Sequence, residues 1–179
     1  METNKAPAVI ELQLENAGQL FDTLDPTPFR EKDLDREAED YIVSWARELP
    51  RHAPICIRVY LPAGEVAGEQ AKMLPQALAR YFSYRADAVG RDLGELFRIG
   101  RQSLLIGLIV LGLCVSGARM AAQWGGQFGD LLREGLILLG WVANWRPIEI
   151  FLYDWWPIVR HRNLLKRLSQ SQVGVTARQ

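Results

Sequence analysis

Cysteine and histidine are scarce, with two of each in 179 residues, and the formal net charge at pH 7 is zero. Each shortage excludes something. Cys56 falls in a short alternating stretch and Cys114 in a long apolar run, so the two are not placed to pair, and nothing implies an oxidising compartment. His52 and His161 stand far apart beside prolines or basic residues, and no zinc-type spacing follows from them. The glycines from Gly64 to Gly68 are not followed by the Lys-Ser or Lys-Thr of a phosphate loop, and no nucleophile elbow or carboxylate pair beside a histidine is present. The expectation is a protein that is not an enzyme and takes neither metal nor cofactor. The first residues also lack the basic and apolar regions of a secretory signal, so the front of the chain is expected to stay on the side where it is made.

The neutral total conceals a segregation. Residues 1–69 hold 14 acidic and 7 basic groups, residues 70–101 hold 3 and 6, residues 102–159 hold 4 and 3, and residues 160–179 hold 0 and 5. An acidic front is followed by basic flanks around an apolar middle. An acidic domain is repelled by phosphates, so no nucleic-acid partner is expected. The division suggests an acidic soluble α/β domain over 1–69, a juxtamembrane amphipathic helix over 70–101, a transmembrane helical hairpin over 102–153 and a basic cytoplasmic tail over 154–179.

Within the front domain, Ile10, Leu12 and Leu14 alternate with Glu11, Gln13 and Glu15, the period of a strand with one wet face. Asp25, Pro26, Thr27 and Pro28 break regular structure and predict a loop. Leu34, Ala38, Tyr41, Ile42, Trp45 and Leu49 recur at helical spacing behind an acidic start, with Asp33 as the expected N-cap, and Pro50 closes the helix. Ile55, Ile57, Val59 and Leu61 alternate with Cys56, Arg58 and Tyr60 as a second strand. Two strands make a poor sheet, so pairing with a second copy or a partner is open. A long helix follows from about Met73, with an apolar stripe through Leu74, Leu78, Phe82, Val89, Leu93, Leu96 and Phe97.

From Gln102 to Ala122 the chain is almost wholly Leu, Ile, Val, Gly and Ala, and about 20 such residues span a hydrocarbon core. Trp124 to Asp130 form a glycine-rich reversal, and a weaker apolar run leads back to Tyr153, so spans are expected at about 102–122 and 133–153. Arg91, Arg98 and Arg101 precede the first span, and Arg160, Arg162, Lys166 and Arg167 follow the second. These are the candidate lipid-headgroup contacts, and by the positive-inside rule they put both termini in the cytoplasm, in the cell inner membrane. Leu164, Leu165 and Leu168 among basic residues suggest a short amphipathic piece on the bilayer surface. The fold class is therefore α+β with a membrane part: a small N-terminal β-α-β-α cytoplasmic domain, a two-helix transmembrane hairpin and a short basic C-terminal amphipathic tail.

Arg146, Glu149 and Asp154 form a candidate intramembrane polar cluster, because ionisable groups near membrane depth are retained mainly where they pair or work. Arg146 and Glu149 are three apart on a helix and can meet. Ser103 with Gly107, and Gly112 with Ser116, are candidate helix-packing pairs of small residues. The leading expectation is a non-catalytic membrane-anchored interaction or scaffold protein. Its expected partners are membrane lipids, an unknown cytoplasmic protein and further copies of itself or a larger membrane complex. The alternative is a small oligomeric channel or transporter subunit with Arg146 and Glu149 in a polar path. An interfacial enzyme using the carboxylates between Asp25 and Asp40 ranks last.

Overall fold

The computed structural model describes residues 8–21, 33–50 and 53–178, so the loop predicted around Asp25 to Pro28 and the residue His52 lie outside the described residues. The chain mixes helix and strand and divides into two units, one of Met1–Val89 with Arg160–Gln179 and the other of Gly90–Val159.

The first unit is built on three parallel strands, β1 (Ala8–Gln13), β2 (Ile55–Leu61) and β3 (Gln172–Ala177), in the order β1-β2-β3. The register aligns Ile10, Ile57 and Val173 in one row and Leu12, Val59 and Val175 in the next. These rows form the face that packs into the core, and β2, in the centre, buries Ile55 and, completely, Ile57, Val59 and Leu61. The other face is polar. There Glu11 accepts hydrogen bonds from Arg58 at 3.4 Å and from the Tyr60 hydroxyl at 3.1 Å. Parallel sheets are usually covered on both sides; cross-strand pairing of polar groups lets this one keep a wet face.

Helix α1 (Arg36–Glu48) buries Ile42, Val43 and Ala46. Its N-cap is Asp35, not Asp33: the Asp35 carboxylate accepts from the Glu37 N–H at 2.9 Å. Tyr41 and Trp45, expected in the apolar stripe, remain 45% and 46% exposed and lie against each other instead. After a short turn of helix α2 (Ala63–Val66) comes α3 (Glu69–Ala121), one helix of 53 residues. Its first part inserts Leu74, Ala77, Leu78, Tyr81, Phe82 and Ala86 into the core.

The tail expected over 154–179 is corrected. Helix α6 (Trp155–Ser169) sends Leu165 and Leu168 into the same core, with Leu164 packed against it, and β3 then completes the sheet. Leu164, Leu165 and Leu168 therefore face protein, and the first unit is discontinuous in sequence. Since β2 and β3 are parallel neighbours, a crossover must join them, and the whole second unit is inserted in that crossover.

In the second unit, the end of α3 packs antiparallel against α4 (Gly126–Ala143), which continues through α5 (Trp145–Glu149) and a π-helical turn (Ile150–Asp154) into α6. The reversal is tighter than predicted. Gly125 and Gly126 take φ of 65° and 75°, a conformation open to glycine, and Gln127 to Asp130 are already helical. Two helices, Glu69–Ala121 and the continuous run Gly126–Ser169, are long and apolar enough to cross a membrane.

Candidate functional site

The most irregular described stretch of the second unit runs from Asn144 to Trp156, and each irregularity has a local cause. The Asn144 N–H bonds the Trp141 carbonyl at 3.0 Å, one residue short of the α-helical partner, which leaves the Gly140 carbonyl without its donor. The Asn144 side-chain amide replaces it, donating to the Gly140 carbonyl and across to the Gly107 carbonyl of α3, both at 3.0 Å. Among the described residues Asn144 is the only buried polar side chain, 6% exposed. Pro147, two residues into α5, cannot donate back along the helix, and Pro157 repeats the defect. Between them the backbone widens into the π turn, and Trp155 Nε1 donates to the Phe151 carbonyl at 3.0 Å. Side-chain donors thus take up carbonyls that the irregular backbone strands, as an apolar setting demands.

Arg146 lies on this stretch. Its Nη1 is 2.9 Å from Glu149 and 3.1 Å from Asp154, so all three members of the predicted polar cluster come together. The pairing with Glu149 was legible from the spacing; the second carboxylate, eight residues along the chain, reaches Arg146 across the π turn. One cation is thus shared by two anions. Counting from Gly126, Arg146 lies about 30 Å along the helix, the thickness of a hydrocarbon core. The contacts of Gly100 with Ile150 and Phe151, and the stacking of Phe97 on Phe151 at 6.1 Å, set the level of this end on α3. The cluster therefore sits at the end of the apolar run, with Arg146 between the levels that Gly100 and Gly107 mark on α3.

The four small residues separate into two groups. A Cβ on Gly107 would meet the Asn144 side chain at 2.7 Å and the Ala143 carbonyl at 3.1 Å, so Gly107 allows the two helices to approach. Gly140, which no spacing in the chain singles out, does the same opposite Leu111 and Cys114. Gly112 has open space beside it, Ser116 is exposed with its hydroxyl donated to the Gly112 carbonyl at 2.8 Å, and Ser103 is half-buried.

The seven basic candidates also differ. Arg167 clamps the end of α1, its Nη2 donating to the carbonyls of Pro50 at 3.0 Å and Ala53 at 2.8 Å. The Nε of Arg162 is buried. Arg91 interacts within the chain. Arg98, Arg101, Arg160 and Lys166 are exposed.

Sequence reasoning missed a polar network in the first unit. Glu39 of α1 accepts from the Tyr81 hydroxyl at 2.7 Å and from Arg85 Nε at 2.9 Å. Tyr81 and Arg85 are one turn apart on α3, which is the spacing at which two side chains can share a partner. Burial, reinforced by the bond to Glu39, pushes the Tyr81 phenol well above its usual range. His161 stands near this network with its Nδ1 buried and, among the described residues, without a hydrogen-bond partner. Burial, followed by the charges of Arg47 and Arg85, holds its pKa below 6.5. Among the described residues no group of three or more His, Cys, Asp or Glu is placed to hold a metal. Comparison with known proteins finds no family model, no curated protein and no solved structure that matches this chain.

Proposed function

We propose that this chain is an integral membrane protein whose hairpin anchors a non-catalytic α/β interaction domain at the cytoplasmic face of the cell inner membrane. One observation carries the reading. In both candidate spans only 22% of the most apolar window is buried, and Leu105, Ile106, Leu113, Leu138, Trp141 and Val142 are each more than half exposed. The core helix of a soluble domain buries such residues, and a continuous apolar surface of this extent is suited to lipid. Trp124 and Phe128 at the turn, and Trp145, Tyr153 and Trp156 at the other end, give the two aromatic belts expected at bilayer interfaces.

The discontinuous domain supports the topology. Because β3 pairs with β2, the chain must return to the side from which it entered, which two crossings achieve. The positive flanks favour the cytoplasm for that side. A scaffolding role is preferred to a conducting one because the clustered candidates among the described residues, Arg146, Glu149 and Asp154, are paired with one another at the end of the apolar run. The test uses the full chain with Cys114 replaced by Ser, leaving Cys56 as a reporter in the domain. The protein should stay in the membrane after alkaline carbonate washing, and a membrane-impermeant maleimide should label Cys56 in inverted vesicles and not in intact cells. Quantitative recovery in the detergent-free supernatant would defeat the reading. Copurification from mild detergent then identifies what the domain binds.

A further inference from the structure

On α3, positions three and four apart share a face. Gly100, Gly107, Cys114 and Ala118 occupy the face turned to the rest of the hairpin, all of them buried. The opposite face carries Arg98, Arg101, Leu105, Leu108 and Gly112, all exposed. Arg98 and Arg101 lie one turn apart at the head of this stripe, level with the end of the apolar run. Among the described residues neither makes an ion pair or hydrogen bond, whereas Arg146, nearer the turn of the hairpin, is held by two carboxylates. Below them the leucines are apolar, and Gly112, with nothing within 4 Å of where a Cβ would stand, leaves a shallow depression.

We infer that this stripe is a binding site for one anionic phospholipid, with the headgroup phosphate between Arg98 and Arg101 and an acyl chain laid over Leu105, Leu108 and Gly112. Charge complementarity selects this occupant: two unpaired guanidiniums, each offering a fork of donors, face the level at which phosphate lies. A second copy of the chain is the competing occupant. Below the arginines it would find no free hydrogen-bond donor among Leu105, Leu108, Gly112 and Ser116, because the Ser116 hydroxyl is already given to the Gly112 carbonyl, and it would have to accommodate two uncompensated cations. The inference rests on the membrane reading above.

The test is native mass spectrometry of the full-length protein in mild detergent, titrated with phosphatidylglycerol or phosphatidylcholine of the same acyl chains. Wild type should retain one phosphatidylglycerol in clear preference to phosphatidylcholine. The R98Q/R101Q pair should weaken that retention by about twenty-five-fold, since each basic group near the surface contributes roughly one factor of five. Arg119→Gln, on the same face at the far end of α3, should leave retention unchanged, and 10 mM inorganic phosphate, roughly the level that would occupy a simple anion site, should not displace the lipid. Equal retention of the two lipids, an unaffected double variant, or displacement by phosphate would each overturn the site. So would a dimer that Gly112→Leu abolishes. Failure of the membrane reading has a different signature: a monodisperse protein without detergent that retains neither lipid.

Discussion

Asn144 and Gly107 form the contact on which the hairpin most depends at the scale of single residues. The amide satisfies two carbonyls, one on each helix, in a place where water cannot. Replacing Asn144 with Leu should destabilise the hairpin by about 1–2 kcal/mol, read as a lower midpoint of unfolding in detergent. Gly107→Ala should be destabilising by about 1–3 kcal/mol through overpacking, because its Cβ would meet the amide oxygen at 2.7 Å. Gly112→Ala, with open space around it, should be neutral or stabilising by up to about 1 kcal/mol from helix propensity. A pair of results in the opposite order would mean that α3 presents its other face to α4. His161 gives a pH dependence of opposite sign to that of a salt-bridged histidine. Its folded pKa is depressed below the ordinary 6.5, by burial and then by Arg47 and Arg85, with Glu39 opposing them. The unfolded state therefore binds the proton first. The histidine's contribution is fully present above pH 6.5 and is lost as the pH falls through the depressed value. His161→Gln should flatten stability between pH 7 and pH 5, roughly the window in which an unpaired imidazole titrates; an unchanged slope would assign it to other groups.

At the scale of elements, β3 is the piece whose importance exceeds its signal. The alternation that made β2 legible depends on four strong apolar positions, Ile55, Ile57, Val59 and Leu61, each buried. In β3 only Val173 and Val175 face the core, and Gly174 lies between them, so the residues alone resemble a polar tail. What makes them a strand is the edge of β2, which cannot be seen without tertiary structure. The same limit hid the destination of Leu165 and Leu168: an amphipathic pattern shows that a helix has an apolar face and is silent on whether that face meets lipid or protein. Arg167 illustrates it too, a basic residue expected at headgroups that instead ties α6 to the end of α1. Ending the chain after Ser171 should therefore expose the edge of β2 and the core beneath it. Amide exchange in Ile55 to Leu61 should accelerate by at least tenfold, the equivalent of about 1.4 kcal/mol. Unchanged protection would make β3 an ornament on a two-stranded sheet.

For the whole molecule, the arrangement that matters is an apolar hairpin inserted in the crossover of a parallel sheet. The sequence announced the hairpin because a stretch from Gln102 to Ala122 that is almost wholly apolar has few uses, and it announced two strands and a helix before it. It could not announce that the domain closes only after the chain has come back, since that depends on residues separated by more than a hundred positions meeting in one core. The insertion has a consequence for separating the parts. Residues 1–89 alone lack α6 and β3, and so lack Leu165, Leu168 and one edge of the sheet. A front fragment should be aggregation-prone, with an unpaired β2 edge and an uncovered core. Joining residues 1–89 to residues 160–179 through a flexible linker restores every buried residue of the first unit and removes the exposed apolar surface of the second. That shortened chain should be monodisperse without detergent and should unfold cooperatively, while the front fragment should do neither. If the fragment folded as well as the joined chain, the first unit would not need its C-terminal strand, and the return of the chain would have to be explained by something other than completion of the sheet.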